Sequence, residues 1–214
     1  MSEQSEQTKS DLKVTLCHDY LCPWCWVGLF QAKRLKEEFP QIRQVWRGFE
    51  LLPEELGPLP EFPAAPKDPA APPSRFALFS QAEGAPVPEG RTIGAVRTHF
   101  ALEGAAYVQH KAPELFDAYN EAVYRAFWER SEDISALEVL GRLAESVGLA
   151  EAEFLSAVSS KAYSHEIVRF DADAYAADVR HVPTFIFQGE RCAEAPYATI
   201  RELAQRYLIW YDEA

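Results

Sequence analysis

Two cysteines separated by two residues, Cys22-Pro23-Trp24-Cys25, stand where an apolar strand gives way to a helix, and that placement constrains the chain more than any other feature. Residues 14–18 read as β-strand. Residues 24–39 read as helix, with Val27, Phe30, Leu35 and Phe39 on the apolar side and Lys33, Arg34, Lys36, Glu37 and Glu38 on the polar sides. Pro23 suits the first helical position, and Pro40 follows the end. A second strand is expected over 44–51. Two strands joined by a helix imply a parallel pair.

Beyond this unit the pattern changes. Ten of the fifteen prolines fall between Pro53 and Pro88, which no long helix survives. This stretch is read as an irregular segment lying on the surface, with a short helix near 75–81. Phe62, Phe76, Leu78 and Phe79 argue for packing, and a flexible linker is the alternative. Helices are expected over 93–106, 113–130, 136–147, 151–162 and 164–178. Ser135-Ala136-Leu137-Glu138 has the form of a capping box and sets a helix start at Ser135. A strand at 184–187, a turn at Gln188-Gly189-Glu190, a strand at 191–193 and a helix at 196–211 complete the chain. The order is β-α-β, a helical insert, then α-β-β-α. One unit is expected from 11–52 and 164–214, interrupted by a Pro-rich and helical insertion over 53–163.

Disulfide exchange needs one thiolate that attacks and a second thiol that releases the mixed disulfide. Cys22 at the helix N-terminus and Cys25 one turn inside supply both. The helix end favours the anion of Cys22 by at most about 2 kcal/mol, and Cys25, deeper, is expected to hold its proton more tightly. Pro23 fixes the first turn. Trp24 adds apolar surface without charge, so a moderately oxidising pair is expected. Half a zinc site and a pair of inert buried thiols are the alternatives. Cys17, His18, Cys22 and Cys25 would supply four ligands on paper, but Cys17 and His18 are strand neighbours that point to opposite faces. No metal and no cofactor are expected.

Composition narrows the partners. A net charge of −12 opposes a role on nucleic acid or anionic membranes. Three of the four cysteines lie within nine residues, which suits redox chemistry better than a disulfide scaffold. Residues 1–10 lack the basic start and apolar run of a secretory signal and read as a disordered lead-in. A cytoplasmic location is expected, a trimmed exported form being the alternative.

Asp19-Tyr20-Leu21-Cys22-Pro23-Trp24-Cys25-Trp26-Val27-Gly28 resembles the active-site start of the DsbA family, specifically its FrnE-like cytosolic branch. Trp46-Arg47-Gly48-Phe49-Glu50-Leu51 resembles that branch's second strand. Pro86-Val87-Pro88-Glu89-Gly90-Arg91-Thr92 and Asp133-Ile134-Ser135-Ala136-Leu137-Glu138-Val139-Leu140 resemble marks of its helical insert, and Val182-Pro183-Thr184-Phe185 its cis-proline loop. The resemblance covers about residues 13–210. It implies an α/β thioredoxin-like fold with a large α-helical insertion, Cys22 as nucleophile, Cys25 as resolving thiol and Pro183 as the cis-proline beside them. His181 stands where relatives often carry Gly, and Glu194-Ala195-Pro196 replaces a usual Gly-Ala-Gln-Pro.

Several residues carry open readings. Cys17 is either a third exchanging thiol or a small buried hydrophobe. Cys192 is expected to be structural. Asp19 and Glu50 are candidate proton acceptors for Cys25, or structural carboxylates. His181 either tunes Cys22 or shapes the substrate groove. His99, His110 and His165 are expected on the surface or in packing. The expected activity is a protein disulfide oxidoreductase or isomerase, acting on protein or peptide disulfides and dithiols. A small thiol or a thioredoxin-type protein is the expected electron donor. A glutathione-dependent transferase or isomerase and a polypeptide-binding chaperone are the competing readings. Oligomeric state is not legible.

Overall fold

The computed structural model describes residues 12–61, 71–88, 92–170 and 172–213. Phe62, the lead-in at 1–10 and Glu89-Gly90-Arg91 lie outside these residues. Strand β1 (Lys13–His18) leads into helix α1 (Pro23–Glu38), and β2 (Arg43–Glu50) returns parallel to β1, with Lys13 opposite Arg43 and His18 opposite Gly48. After the insertion come β3 (Val168–Arg169), α7 (Ala172–Ala177), β4 (Thr184–Phe187), β5 (Glu190–Ala193) and α8 (Tyr197–Glu213). The five strands form one sheet in the order β3-β2-β1-β4-β5. β3 is parallel to β2, whereas β4 and β5 run antiparallel to their neighbours. Gln188 and Gly189, both at positive φ (49° and 94°), form the two-residue turn joining β4 to β5.

Between β2 and β3 lie α2 (Arg75–Ala82), α3 (His99–Lys111), α4 (Phe116–Trp128), α5 (Leu137–Ser146) and α6 (Glu151–Ser159). The chain thus has the thioredoxin-like α/β architecture with a helical insertion, α3–α6. Val14, Leu16, Trp46, Phe49, Phe185 and Phe187 of the central strands are buried, while Thr15, Val45 and Ile186 are half-buried.

In the described part of the Pro-rich segment Phe76 and Phe79 pack as expected, whereas Leu78 is exposed. Ser74 caps α2 by accepting from the Ala77 N–H. Phe76 and Phe79 of α2 meet the edge of Trp24, and the Trp26 Nε1–H donates to the Pro86 carbonyl at 2.7 Å. The buried Glu83 carboxylate accepts from Gln31 Nε2 and from the Tyr197 N–H, both at 2.9 Å, tying the segment to α1 and α8.

Three sequence expectations need correction. The helix expected over 93–106 starts only at His99 and runs to Lys111. Arg97 is committed to the carbonyls of Leu52, Pro53 and Gly57, and Thr98 to Asp19, so the chain reaches those partners before coiling. The capping box at Ser135 does not form. The N-cap is Ala136, and Ser135 instead bonds the Asp133 carboxylate through both its N–H and its hydroxyl. The helix expected over 164–178 is a 3-10 turn (Ser164–Glu166), strand β3 and the shorter α7. The Glu103 carboxylate holds Tyr163 N and the Ser164 hydroxyl, which turns the chain, and Val168 then pairs with Phe49 at the sheet edge.

Candidate active site

Cys22 is the N-cap of α1, with extended backbone (φ −76°, ψ 120°), and Pro23 opens the helix. The Cys22 N–H donates to the Asp19 carbonyl at 3.2 Å, so the strand end and the helix start are locked together. Cys22 is 7% exposed and Cys25 only 1%. All four cysteines are free thiols. The Val182–Pro183 bond is cis, and the Cys22 thiol donates to the Val182 carbonyl at 3.2 Å. Pro183 also lies against α1: a Cβ on Gly28 would sit 3.1 Å from the Pro183 Cβ, so any larger residue there crowds the ring. Thr184 is buried, its hydroxyl donating to the His181 carbonyl at 2.5 Å, while His181 itself is exposed.

The two thiols have unlike surroundings. Burial pushes the Cys25 thiol well above its ordinary range, and its hydrogen bond with Cys22 and the Cys22 charge add to this. A hydrogen bond from the Asp19 backbone opposes the shift, while the Asp19 carboxylate supports it. Cys25 therefore holds its proton until a base removes it.

Asp19 is fully buried beneath the pair. Its Oδ1 accepts from the Leu21 N–H at 2.9 Å. Its Oδ2 accepts from the Leu51 N–H at 2.7 Å and from the Thr98 hydroxyl at 3.1 Å. Burial outweighs these donors and pushes its pKa up to about 6, with the charge of Glu50 adding to the rise. Glu50 is also buried but bonds His99 Nδ1 at 2.9 Å and makes no recorded bond to Cys25.

Tyr124, from α4, faces the site from the insertion. Its hydroxyl lies 2.9 Å from His18 Nδ1, and both cysteine charges act on it. His18 is packed edge-on against Tyr20 and Trp46, and burial lowers its pKa to about 3. It is therefore a neutral imidazole. Because His18 turns towards this aromatic layer, Cys17 points to the other face of the sheet. Cys17 is fully buried, and burial pushes its thiol up to about 11 against the lowering charges of Arg47 and Arg191. Cys192 is buried on β5 opposite Phe185.

The structure thus brings Cys22, Cys25, Pro23, Trp24, Asp19, Val182, Pro183 and Thr184 together. Cys17 lies opposite Thr184 across β1 and β4, on the sheet face away from His18, and His181 is exposed. His99, expected only in packing or on the surface, joins a buried acid cluster next to Asp19. The sequence signal for it was Glu103, one helical turn after His99.

Comparison with known proteins decides the family. Residues 13–207 match the DSBA-like thioredoxin domain family. The chain belongs to that family. It is 32% identical over 182 residues to YwbO of Bacillus subtilis, an uncharacterized protein, covering 78% of this chain and 82% of that one. Among solved structures it is similar to a probable DsbA oxidoreductase of Streptomyces coelicolor, with a TM-score of 0.69 and 20% identity over 92% of this chain and 90% of that one. It is also similar to the cytosolic disulfide reductase DsbM of Pseudomonas aeruginosa, solved with GSH, with a TM-score of 0.62 and 15% identity over 91% and 100% of the two chains. Among the described residues, no helix is long and apolar enough to cross a membrane, and no His, Cys, Asp and Glu cluster is arranged to hold a metal ion.

Proposed function

We propose that this DsbA-like chain is a cytoplasmic protein-disulfide reductase or isomerase of the FrnE-like branch, working through a Cys22/Cys25 dithiol with Asp19 as proton acceptor. The observation that carries the reading is the asymmetry of the pair. Cys22 sits at the open helix N-terminus beside the Val182 carbonyl, whereas Cys25 is sealed beneath it, over a buried carboxylate with a pKa of about 6.

In the proposed cycle the Cys22 thiolate attacks one sulfur of a substrate disulfide. The Cys22–substrate bond forms, the substrate S–S bond breaks, and the departing substrate sulfur takes a proton. Cys25 then gives its proton to Asp19 and attacks the Cys22 sulfur. The Cys22–Cys25 disulfide forms and the Cys22–substrate bond breaks. The substrate sulfur leaves as a thiolate that takes a proton from water while Asp19 returns its own to solvent, so two electrons pass from the pair to the substrate. A small thiol or a thioredoxin-type dithiol returns the pair to its reduced form. A reducing compartment favours this direction over net oxidation.

The test is insulin reduction with dithiothreitol as electron source. Cys22→Ser is expected to abolish the enzyme-dependent rate, and Cys25→Ser, mixed with insulin without dithiothreitol, to accumulate a covalent adduct that dithiothreitol dissolves. Retained turnover in Cys22→Ser ends the proposal.

A further inference from the structure

We infer that Glu50, His99 and Glu103 tune the thiol site from a distance: one imidazolium shared between two carboxylates leaves a residual negative charge beside Asp19, and that charge raises further the pH at which Asp19 takes the proton of Cys25. This inference rests on Asp19 being the proton acceptor of Cys25.

Three acidic side chains, Asp19, Glu50 and Glu103, are almost completely buried within one region of the protein. Buried charge of one sign must be compensated or protonated. His99 is the compensating group. Its Nδ1 donates to Glu50 Oε2 at 2.9 Å. Its Nε2 donates to the Ser164 hydroxyl at 3.0 Å, and that hydroxyl donates to Glu103 Oε1. The Tyr163 N–H completes the Glu103 site at 2.8 Å. Hydrogen bonds to Glu103 and Glu50 outweigh burial and raise the His99 pKa to about 9. Burial raises Glu103, but bonds from His99, Ser164 and Tyr163 outweigh it and hold its carboxyl below the ordinary range. One cation thus serves two carboxylates, and Asp19 has none.

The cluster is also tied to Asp19 through its chain neighbours. Leu51, next to Glu50, and Thr98, next to His99, are the two donors on Asp19 Oδ2. The α3 start of the insertion and the end of β2 therefore clamp Asp19 and carry the tuning charges at once. Solvent reaches the cluster from its far side. Glu50 and His99 lie in the wall of a cleft of about 1120 Å3, whereas Asp19 has no exposed surface.

Other charged groups do not replace His99. In the cleft wall, Arg97 donates to three backbone carbonyls, Arg47 donates to the Glu166 carbonyl, Lys161 lies over the Phe100 ring and Arg169 pairs with Glu55 and Asp173, so each cation faces a partner other than Glu50 or Asp19. On the other side, Asp19 faces Cys25, Tyr20 and Tyr124. Burial pushes both phenols far up, so they stay neutral across the working range. Glu50, His99 and Glu103 touch neither thiol and act through Asp19.

The experiment uses the full chain carrying a mixed disulfide between Cys22 and thionitrobenzoate. Attack by Cys25 closes the Cys22–Cys25 bond and releases the coloured thiolate, and its rate is followed from pH 4.5 to 8. The native rate is expected to rise with a midpoint near 6, and Asp19→Asn to lose that transition. Glu50→Gln keeps a hydrogen-bond acceptor for His99 but removes the charge. Its midpoint is expected to move down, with a rate at pH 5 roughly threefold above native. Glu103→Gln is expected to move it in the same direction by less, and decides alone if Glu50→Gln does not fold. Thr98→Val, which removes a donor to Asp19, is expected to move it up. If Asp19→Asn keeps the transition, the proton-acceptor reading fails. If Asp19→Asn loses it while the folded Gln variants leave it in place, that reading stands and the tuning cluster is overturned.

Discussion

The Cys22 thiol donates to the Val182 carbonyl across 160 residues of sequence, at 3.2 Å. The contact joins the two halves of the interrupted sheet at the point where chemistry is proposed. It also separates folding from reactivity. A serine at position 22 keeps a donor for Val182, whereas a serine at position 25 places a hydroxyl where the site is sealed. Cys22→Ser is expected to lie within about 0.5 kcal/mol of native, and Cys25→Ser to lose about 1 kcal/mol. Urea unfolding checks this, and the reverse order would mean that a serine hydroxyl does not replace the thiol against Val182.

Asp19 makes stability depend on pH in a defined window. Its folded pKa, about 6, is raised above the ordinary value of 3.8. The folded state therefore binds the proton more tightly than the unfolded one. Its contribution is fully present below about 3.8 and is lost as pH rises through about 6. At 1.36 kcal/mol per unit, the loss is on the order of 3 kcal/mol. Asp19→Asn does not titrate, so the stability of the variant relative to native is expected to improve by up to about that amount between pH 4 and 7.5. Hydrogen bonds lost at both pH values cancel in this difference. Equal differences at the two pH values would place the Asp19 pKa at its ordinary level.

Much of the site is local in sequence, and that part was legible. The strand, Cys22, Pro23 and the amphipathic α1 follow one another between Lys13 and Glu38, and Val182-Pro183-Thr184 leads directly into an apolar strand. The packing of α2 was legible because Phe76 and Phe79 have no use in a solvated linker. What stayed hidden depends on long-range partners. β3 is two residues long, and its strand character comes from pairing with Phe49 and Glu50. The start of α3 is set by what Arg97 and Thr98 hold far away in sequence. His99 looked like an ordinary helical residue because its Glu50 partner lies 49 positions earlier. Cys17 was ambiguous in sequence, and in the sheet it is a fully buried thiol opposite Thr184, pushed up by burial to about 11.

His18 acts on stability in the opposite direction from Asp19. Burial lowers its folded pKa from 6.5 to about 3. The neutral ring's contribution is present above 6.5 and is lost as pH falls towards 3. The loss is on the order of 4 to 5 kcal/mol over that window. His18→Phe keeps an aromatic ring against Tyr20 and Trp46 but cannot charge. Its cost relative to native is expected to shrink steadily as pH falls below 6.5, followed by urea unfolding at pH 7, 5.5 and 4. A cost independent of pH would show that His18 titrates alike in both states.

Gly28 tests the contact between α1 and the Pro183 loop. A mid-helix glycine costs up to about 1 kcal/mol relative to alanine, so its presence needs a reason. The reason is distance: a Cβ there would lie 3.1 Å from Pro183 Cβ and 3.2 Å from Pro183 Cγ. Alanine recovers helix propensity while crowding the ring, and Gly28→Ala is expected to be near neutral. Valine adds two methyl groups on the same side. Gly28→Val is expected to cost about 2 kcal/mol and to push back the loop that carries Val182. Cys22 would lose its carbonyl partner, and insulin reduction should fall further than the folded fraction does. Urea unfolding and turnover are to be measured on the same preparation. Native turnover in a folded Gly28→Val protein would show that the thiol chemistry tolerates a displaced loop.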